Sequence, residues 1–207
     1  MAHVEYATLS LARAAVDPRG LDPGEWERAR RLVTPRARHR FVAVRSVLRA
    51  ELAHRLGIPS REVAFVYGPD GKPALAPPLD RSGITFSVSH SGELAVLAFS
   101  AGAAIGADVE RLREVPRGKE VARRVFTEEE KTVLERLQGD AWRDAFFRLW
   151  TRREALVKCV GGSVLAASPP ASGFAFAEAS VPEGYVAAVC AAAGALTLEE
   201  RPLYSAG

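Results

Sequence analysis

The sequence predicts an α+β fold of two similar lobes, each with a long helix packed on a small antiparallel sheet. A long amphipathic helix followed by an apolar hairpin occurs twice in the same order. Helix 36–56 with hairpin 84–100 parallels helix 141–160 with hairpin 174–192. The length of 207 residues allows one large domain or two small ones.

A joint of small residues separates the two predicted lobes. Residues 101–104 read Ala-Gly-Ala-Ala, and the strand after them begins the second half of the chain. We therefore expect an N-terminal lobe over residues 1–103 and a C-terminal lobe over residues 104–207, related by a pseudo-twofold axis. Because one chain then already holds two lobes, we expect a monomer.

Composition and charge narrow the classes of protein. Hydrophobic content is 48%, and no apolar run is long enough to span a bilayer. Residues 1–10 lack the pattern of a secretory signal, so we expect a cytoplasmic protein with reduced thiols at Cys159 and Cys190. The net charge of +3 suits an anionic substrate or an acidic partner, but it is too small and scattered to indicate nucleic acid.

The first lobe is predicted to begin with a strand over residues 4–12 and a short basic helix over residues 25–33. A longer helix then runs from about Arg36 to Leu56 and ends at Gly57. Arg45 and Arg49 lie one turn apart on it and can act together on a phosphate, because arginine presents a fork of donors. For most arginines of this helix, a solvated basic face is the simpler interpretation.

Two polar turns follow in the first lobe. A strand over residues 63–67 leads to the turn Pro69-Asp70-Gly71, after which Lys72 can reach over a neighbouring cleft. A hairpin of strands 84–88 and 94–100 carries Ser89-His90-Ser91-Gly92 at its tip. Hydroxyl groups, an imidazole and loop amides suit phosphate binding. A lone turn lysine or histidine is nevertheless more often structural, and no serine-hydrolase pattern surrounds the two serines.

A strand ending in two acids opens the second lobe. It reads Ile105-Gly106-Ala107-Asp108-Val109-Glu110, so Asp108 and Glu110 point to the same side while the apolar residues face a core. Two adjacent carboxylates repel each other unless a cation lies between them, and Mg²⁺ prefers oxygen ligands. The alternative is a pair of solvated charges that protects an edge strand from aggregation.

The rest of the second lobe is predicted as a basic connector and two helices. The connector spans residues 111–124, and Thr127 with Glu130 forms a capping box for a helix that ends near Gly139. A helix over residues 141–160 follows. Trp150, Glu154 and Lys158 share one face of it, where Glu154 and Lys158 also fit an ordinary surface ion pair. A second hairpin and one possible strand in the tail complete the chain.

Several short motifs in a fixed order suggest a family. In sequence and spacing, the chain resembles the 4′-phosphopantetheinyl transferases of the Sfp type, the larger two-lobed class, from about Arg30 to Gly162. The motifs are Gly71-Lys72-Pro73, Phe86-Ser87-Val88-Ser89-His90-Ser91, Ile105 to Glu110, Phe126-Thr127 with Glu130, and Trp150 to Lys158. The chain departs from the family pattern at Ser87, where asparagine is usual, at Ala107, where a bulkier aliphatic residue is usual, and at Arg153, where lysine is usual.

The resemblance implies a reaction and a set of roles. The phosphopantetheine arm of coenzyme A moves to a serine of an acyl or peptidyl carrier protein, and adenosine 3′,5′-bisphosphate leaves. By the family pattern, Asp108, Glu110 and Glu154 hold Mg²⁺, Glu154 also acts as general base, and Lys158 contacts the pyrophosphate. The remaining candidates for phosphate contacts are Arg45, Ser46, Lys72, Ser89, His90 and Arg30.

The implied carrier protein is acidic, which suits the basic connector, where we expect Arg123 and Arg124 to steer it. Two alternatives stay open. A Mg²⁺-dependent pyrophosphate or nucleotide hydrolase would release phosphate or nucleotide without a carrier. A catalytically silent coenzyme A-binding module would bind the ligand and transfer nothing.

Overall fold

The computed structural model describes residues 1–14, 20–69, 71–161 and 172–204. The predicted turn residue Asp70 and the glycine Gly162 lie outside the described residues. The strands are β1 (Ala2–Ser10), β2 (Phe65–Tyr67), β3 (Pro73–Leu75), β4 (Ile84–Ser91), β5 (Leu94–Ala101), β6 (Ile105–Arg111), β7 (Ala175–Glu178), β8 (Tyr185–Ala191) and β9 (Leu196–Glu200). The α-helices are α1 (Pro23–Arg31), α2 (Pro35–Leu56), α3 (Gly118–Val125), α4 (Glu128–Glu135) and α5 (Gly139–Val160).

Two small sheets form the centre of the molecule. The first has the strand order β4-β5-β1-β9 and the second β6-β8-β7. All pairings in them are antiparallel except that of β9, which lies parallel to β1 and makes the first sheet mixed. The predicted α+β class with a long helix and a small sheet in each half is confirmed.

The two sheets share an apolar core, and each long helix covers the opposite face of one sheet. Alternate residues of β1, β5, β6 and β8 meet between the sheets, as strand periodicity requires. The other face of the first sheet packs on α2, and that of the second sheet packs on α5. The largest residues of the shared core are Val4, Tyr6, Leu94, Val96, Ile105, Val109 and Val189.

Helix α2 is defined by its end residues. The Thr34 hydroxyl accepts a hydrogen bond from the Ala37 amide at 3.1 Å, which caps the N-terminus. Gly57 ends the helix in the left-handed conformation, with φ of 67°, as predicted. On the apolar face of this helix, Val44, Leu48 and Leu52 are buried against the first sheet.

The predicted connector over residues 111–124 is wrong in part, because Gly118–Val125 forms α3. Its apolar residues contribute to a core with Phe126 and Phe146, which stabilises a helix too short and too charged to be visible in the sequence. The capping box of Thr127 and Glu130 is confirmed, with the Thr127 amide donating to Glu130 Oε2 at 2.9 Å.

A buried ion pair joins α1 to α2. The Arg49 side chain is 1% exposed and donates to Glu25 Oε2 at 2.7 Å and to Asp22 Oδ2 at 2.6 Å. Its remaining donors reach the carbonyls of Ser60 and Val63. Arg49 is therefore a structural residue, and neither the solvated face nor the joint phosphate contact proposed for it from the sequence is correct.

Within the described residues, no helix is both long and apolar enough to cross a lipid bilayer.

Candidate active site at the seam between the sheets

Two edge strands meet where the sheets adjoin. β4 is the edge of the first sheet and β6 the edge of the second, and side chains rather than a backbone ladder connect them in the described chain. The Ala107 amide donates to Ser87 Oγ at 2.9 Å, Ser89 Oγ donates to Asp108 Oδ1 at 2.7 Å, and Ser91 Oγ donates to Glu110 Oε2 at 2.7 Å. Because alternate residues of a strand share one side, these serines all face β6.

Gly106 brings α5 directly onto β6. A Cβ atom at this position would lie 1.9 Å from the Ala155 carbonyl oxygen and 2.5 Å from the Cys159 nitrogen. Only glycine fits where two backbones approach so closely. Since Asp108 and Glu110 follow Gly106 on the side of the strand that faces α5, this contact sets them beside the helix that carries Glu154 and Lys158.

Asp108 is the most buried acid of the candidate site. Its side chain is 6% exposed, and its Oδ1 accepts hydrogen bonds from Lys158 Nζ at 2.7 Å and from Ser89. Its Oδ2 is buried and has no hydrogen-bond partner in the described part of the chain. Burial raises the pKa of Asp108, an effect that the Lys158 ammonium opposes.

Glu110 lies closer to solvent and is held in a similar way. Its Oε2 accepts hydrogen bonds from Ser91 at 2.7 Å and from Arg113 at 3.0 Å. No group among the described residues donates to its Oε1. The predicted orientation of Asp108 and Glu110 to one side of a strand whose apolar residues face the core is confirmed.

Glu154 faces a cavity of about 330 Å³ between the halves of the chain. Burial raises the pKa of Glu154, and the negative charges of Asp108 and Glu110 raise it further, while Lys158 lowers it. The three acids are thus close enough to interact electrostatically. The other residues around this cavity are Gly71, Lys72, Pro73, Phe86, Ser87, Val88, Val157, Lys158 and Gly161.

The three acids are not drawn together at the spacing of metal ligands. In the described chain, the ligand atoms that all lie within 4.8 Å of one another belong to His3, Glu5 and Glu199, at the far end of the first sheet. Lys158 instead supplies the positive charge beside Asp108. The assignment of Asp108, Glu110 and Glu154 as metal ligands therefore stays a prediction, supported by the oxygen of Asp108 that has no donor.

Lys72 closes one side of the cavity. From the turn between β2 and β3, its ammonium donates to the carbonyl oxygens of Ile105 at 2.8 Å and Lys158 at 2.5 Å. Burial lowers the pKa of Lys72; Cys159 opposes this effect, and the charge of Lys158 adds a smaller lowering. Lys72 thus ties the short hairpin to β6 and α5 with two of its three N–H donors, and its contact with phosphate stays a prediction.

His90 lies among positive charges. Loss of hydration lowers the pKa of its imidazole, and the charges of Arg40 and Lys158 lower it further. Arg40 itself forms an ion pair with Glu93, at the turn between β4 and β5. These cations make the end of β4 a favourable place for an anion, although the role of His90 in phosphate binding stays a prediction.

Arg45 and Ser46 lie outside the residues that line the cavity. Arg45 is buried between α1, α2 and β2, where it donates to the Tyr67 hydroxyl at 3.3 Å and lies 3.6 Å from Glu25 Oε1. Its guanidinium also packs over aromatic rings, including that of Phe65 at 5.4 Å. Ser46 is half-buried on α2, and Arg30 lies on α1. Their predicted phosphate contacts are not tested by these observations.

The residues around Glu154 on α5 are mostly structural. Arg153, one of the departures from the family pattern, is buried and donates to Glu130 Oε2 at 2.8 Å. The Trp150 ring is stacked on the ring of Phe146, with centroids 6.1 Å apart. Trp150 lies one turn before Glu154 on α5, and its ring packs against the apolar cluster formed by α3, α4 and α5.

Sequence reasoning missed the partners that orient the acids. Neither Ser91 nor Arg113 was assigned a role, yet both contact Glu110. A signal was present, because Ser87, Ser89 and Ser91 alternate along β4. That spacing predicts three hydroxyl groups on one side of a strand, but it does not say which strand they face.

Two family profiles match successive parts of the chain. That of the 4′-phosphopantetheinyl transferase superfamily matches residues 104–199, and that of the 4′-phosphopantetheinyl transferase N-terminal region matches residues 11–102. The chain belongs to the 4′-phosphopantetheinyl transferase superfamily. The resemblance to the 4′-phosphopantetheinyl transferases is thereby confirmed, whereas the assignment to the Sfp type stays a prediction.

Curated members of the superfamily are similar over much of this chain. The 4′-phosphopantetheinyl transferase HetI of Nostoc sp. is 37% identical over 70% of the chain and 61% of its own length. A putative 4′-phosphopantetheinyl transferase of Synechocystis sp. is 33% identical over 70% of the chain and 58% of its own length. The 4′-phosphopantetheinyl transferase AcpT of Escherichia coli is 37% identical over 56% of each chain. The chain thus spans about three fifths of the length of the first two relatives.

Proposed function

We propose that this superfamily member transfers the 4′-phosphopantetheine arm of coenzyme A to a serine of an acyl or peptidyl carrier protein. The reaction depends on Mg²⁺ and releases adenosine 3′,5′-bisphosphate. The observation that carries the proposal is the arrangement at the seam. A buried carboxylate oxygen of Asp108 without a donor lies beside Lys158 and within electrostatic reach of Glu110 and Glu154.

The donor set fits a hard divalent cation. A buried carboxylate oxygen without a partner is unfavourable, and a cation is one means of satisfying it. Asp108, Glu110 and Glu154 offer only oxygen atoms, which Mg²⁺ prefers. Bound by these residues, Mg²⁺ would neutralise negative charge on the pyrophosphate as its bond breaks.

Each step of the transfer has a residue to perform it. The carrier serine oxygen forms a bond to the phosphorus that bears pantetheine, and the bond from that phosphorus to the oxygen of the adenosine bisphosphate breaks. Glu154 accepts the serine proton, directly or through water. Lys158, one helical turn on, stabilises the charge that develops on the leaving phosphate.

The cations at the seam favour the phosphates of coenzyme A. Lys72 and Lys158 border the cavity, and His90 lies near Arg40 and Lys158. Lys72 and Lys158 are half-buried, so their interaction with a phosphate is screened less than it would be on the open surface. We propose that the lobe of residues 1–103 contributes phosphate contacts and that residues 104–207 contribute the metal ligands and the base. The chain acts as a monomer in the cytoplasm.

We propose that the carrier protein binds to the exposed surface of α3. Arg123 and Arg124 are both exposed on this helix, and Arg123 borders a small groove with Lys119, Lys131 and Trp142. An acidic carrier would be attracted to this surface before it docks. The groove is separate from the cavity that Glu154 and Lys158 line.

Mass spectrometry of an apo carrier protein tests the proposal. The carrier is incubated with the protein, coenzyme A and Mg²⁺, and we expect its mass to increase by one phosphopantetheine arm. Omission of Mg²⁺, with a chelator present, should prevent the increase. Release of nucleotide from coenzyme A without any change in the carrier would indicate a hydrolase instead. Binding of coenzyme A without either product would indicate a silent binding module.

A further inference from the structure

The two acids of β6 are held by the same arrangement. On Asp108, Oδ1 accepts one hydrogen bond from Ser89, a serine of β4, and one from the ammonium group of Lys158. On Glu110, Oε2 likewise accepts one hydrogen bond from Ser91, another serine of β4, and one from the guanidinium group of Arg113. The second oxygen of Asp108 is buried and has no partner in the described chain. The two hydrogen bonds of the Glu110 carboxylate both go to Oε2.

We infer that Ser91 is a positioning residue that orients Glu110 for the divalent ion. A glutamate has a flexible side chain, and a hydrogen bond to one oxygen restricts where the other oxygen points. By holding Oε2, Ser91 leaves Oε1 for the ion. The inference rests on the proposed function, because it assumes the ion that the transfer requires.

Ser91 is better placed for this role than Arg113. Ser91 has a short side chain on a paired strand, and its hydroxyl lies 2.7 Å from Glu110 Oε2. The side chain of Arg113 is 57% exposed, so its ion pair with Glu110 is weakened by solvent. We therefore expect loss of the serine hydroxyl to disturb Glu110 more than loss of the arginine.

The position of Ser91 also links the ion to the junction of the two sheets. β4 belongs to the first sheet and β6 to the second. The hydrogen bonds of Ser89 and Ser91 therefore tie the acids of one half to a strand of the other half. Correct orientation of Glu110 thus depends on how β4 lies against β6.

Titration with Mn²⁺ tests the role of Ser91 without relying on activity. The electron paramagnetic resonance signal of free Mn²⁺ is followed with saturating coenzyme A present. We expect Ser91→Ala to bind Mn²⁺ about tenfold more weakly, because loss of a partner that orients a ligand costs about 10- to 100-fold in affinity. Ser91→Thr keeps the hydroxyl and should restore the affinity, and Arg113→Ala should have the smaller effect.

Ser100 offers a matched control. It is a buried serine on β5, the strand paired with β4, and its hydroxyl donates to the His3 carbonyl at 2.8 Å, away from Asp108 and Glu110. Ser100→Ala should therefore bind Mn²⁺ as the unchanged protein does. In assays of transfer, Ser91→Ala should raise the KM for Mg²⁺ and keep most of its kcat at saturating Mg²⁺, whereas a purely structural defect would lower kcat and thermal stability together.

The outcomes separate this inference from the proposed function. Equal Mn²⁺ affinity of Ser91→Ala and the unchanged protein would overturn the role of Ser91, even if transfer is observed. Mn²⁺ binding that depends on Ser91, in a protein that modifies no carrier, would support the role of Ser91 and overturn the proposed reaction. Absence of any Mn²⁺ binding would overturn both.

Discussion

At the scale of single residues, the site depends on which carboxylate oxygen of each acid already accepts hydrogen bonds from the protein. Asp108 and Glu110 each have one oxygen held by a β4 serine and a cation. Their shared orientation was predictable, because alternation along a strand is a local property. Their partners were not, since Ser89 and Ser91 come from a different sheet and Lys158 from a helix 50 residues away in sequence.

Replacement of Asp108 tests the most buried acid. Asp108→Ala removes a proposed metal ligand and leaves Lys158 without its carboxylate partner. We expect the rate of phosphopantetheine transfer to fall on the order of 100-fold or more, given what lost metal ligation costs. Steady-state kinetics with an apo carrier measures the effect. Asp80→Ala, at an exposed acid in the first half of the chain, serves as the control and should retain the normal rate.

Near-normal turnover of Asp108→Ala would refute its assignment as a ligand. A fall in rate accompanied by unfolding would leave the chemical role unsupported. Thermal unfolding of both variants must therefore be compared, and we expect Asp108→Ala to remain folded, because the unpartnered oxygen and the burial cost of the carboxylate are removed with the side chain.

His90 should titrate below the usual range. Burial and the charges of Arg40 and Lys158 lower its pKa from 6.5, so the neutral ring is favoured in the folded protein. The stability that the neutral ring contributes is therefore complete above pH 6.5 and is lost as pH falls through the folded pKa. An NMR titration of the imidazole signals measures the pKa directly. Arg40→Gln should raise it, and a pKa of His90 at or above 6.5 in the unchanged protein would contradict the arrangement of charges.

The arginines of α2 show why residue roles were hard to predict. Arg45 and Arg49 lie one turn apart, which is a local pattern that sequence reasoning can recognise. Their shared partner Glu25 lies on α1, and nothing in the spacing indicates that pairing. A phosphate contact, a solvated face and a buried ion pair all fit the same sequence, and only the packing of α1 on α2 distinguishes them.

At the scale of elements, the close contact of β6 with α5 is the feature that positions the site. Gly106→Ala would place a methyl group 1.9 Å from the Ala155 carbonyl oxygen. Neither backbone can move away without separating the second sheet from its helix. We expect the free energy of unfolding to fall by more than about 3 kcal/mol, beyond the usual effect of overpacking.

Denaturant unfolding of Gly106→Ala and of Gly194→Ala measures this difference. Gly194 has open space around its missing Cβ and does not adopt a positive φ, so alanine there should change stability little. If both substitutions have small effects, the strand and helix are not in contact as described, and the placement of Glu154 and Lys158 beside Asp108 fails with it.

The elements that could be predicted are those with strong local signals. The long helices, the hairpin of β4 and β5 and the capping box of α4 follow from periodicity, turn residues and caps. Helix α3 could not be recognised, because it has eight residues and six of the residues in the predicted connector are basic. Gly139 was expected to end α4 but instead begins α5, since a glycine indicates a boundary without showing on which side the helix lies.

At the scale of the whole molecule, α2, the first sheet, the second sheet and α5 pack in that order. The edge strands β4 and β6 meet at the seam between the two sheets. The pairing of β9 with β1 brings the end of the described chain onto the first sheet, with Leu198 opposite Val4. This pairing joins residues about as far apart in sequence as the chain allows, so no local pattern predicts it. The contact of β4 with β6 was not foreseen for another reason: β5 lies between them in sequence, and side chains rather than a backbone ladder make the contact.

Charge reversal on α3 tests the proposed surface for the carrier protein. Arg123→Glu together with Arg124→Glu should raise the KM for an acidic carrier and leave that for coenzyme A unchanged, because the two binding sites are separate. The effect should be largest at low salt, where charges are screened least. Reversal of Arg61 and Arg81, which are exposed in the first half, is the control. An unchanged carrier KM at low salt would exclude this surface.

The central claim is that Asp108, Glu110 and Glu154 gather around one divalent ion at the seam between the sheets. Anomalous diffraction from crystals grown with coenzyme A and Mn²⁺ locates the ion directly. We predict one strong peak bounded by the carboxylates of these three residues, with the pyrophosphate on its open side. A peak at His3, Glu5 and Glu199 alone, with Lys158 still paired to Asp108, would contradict the account.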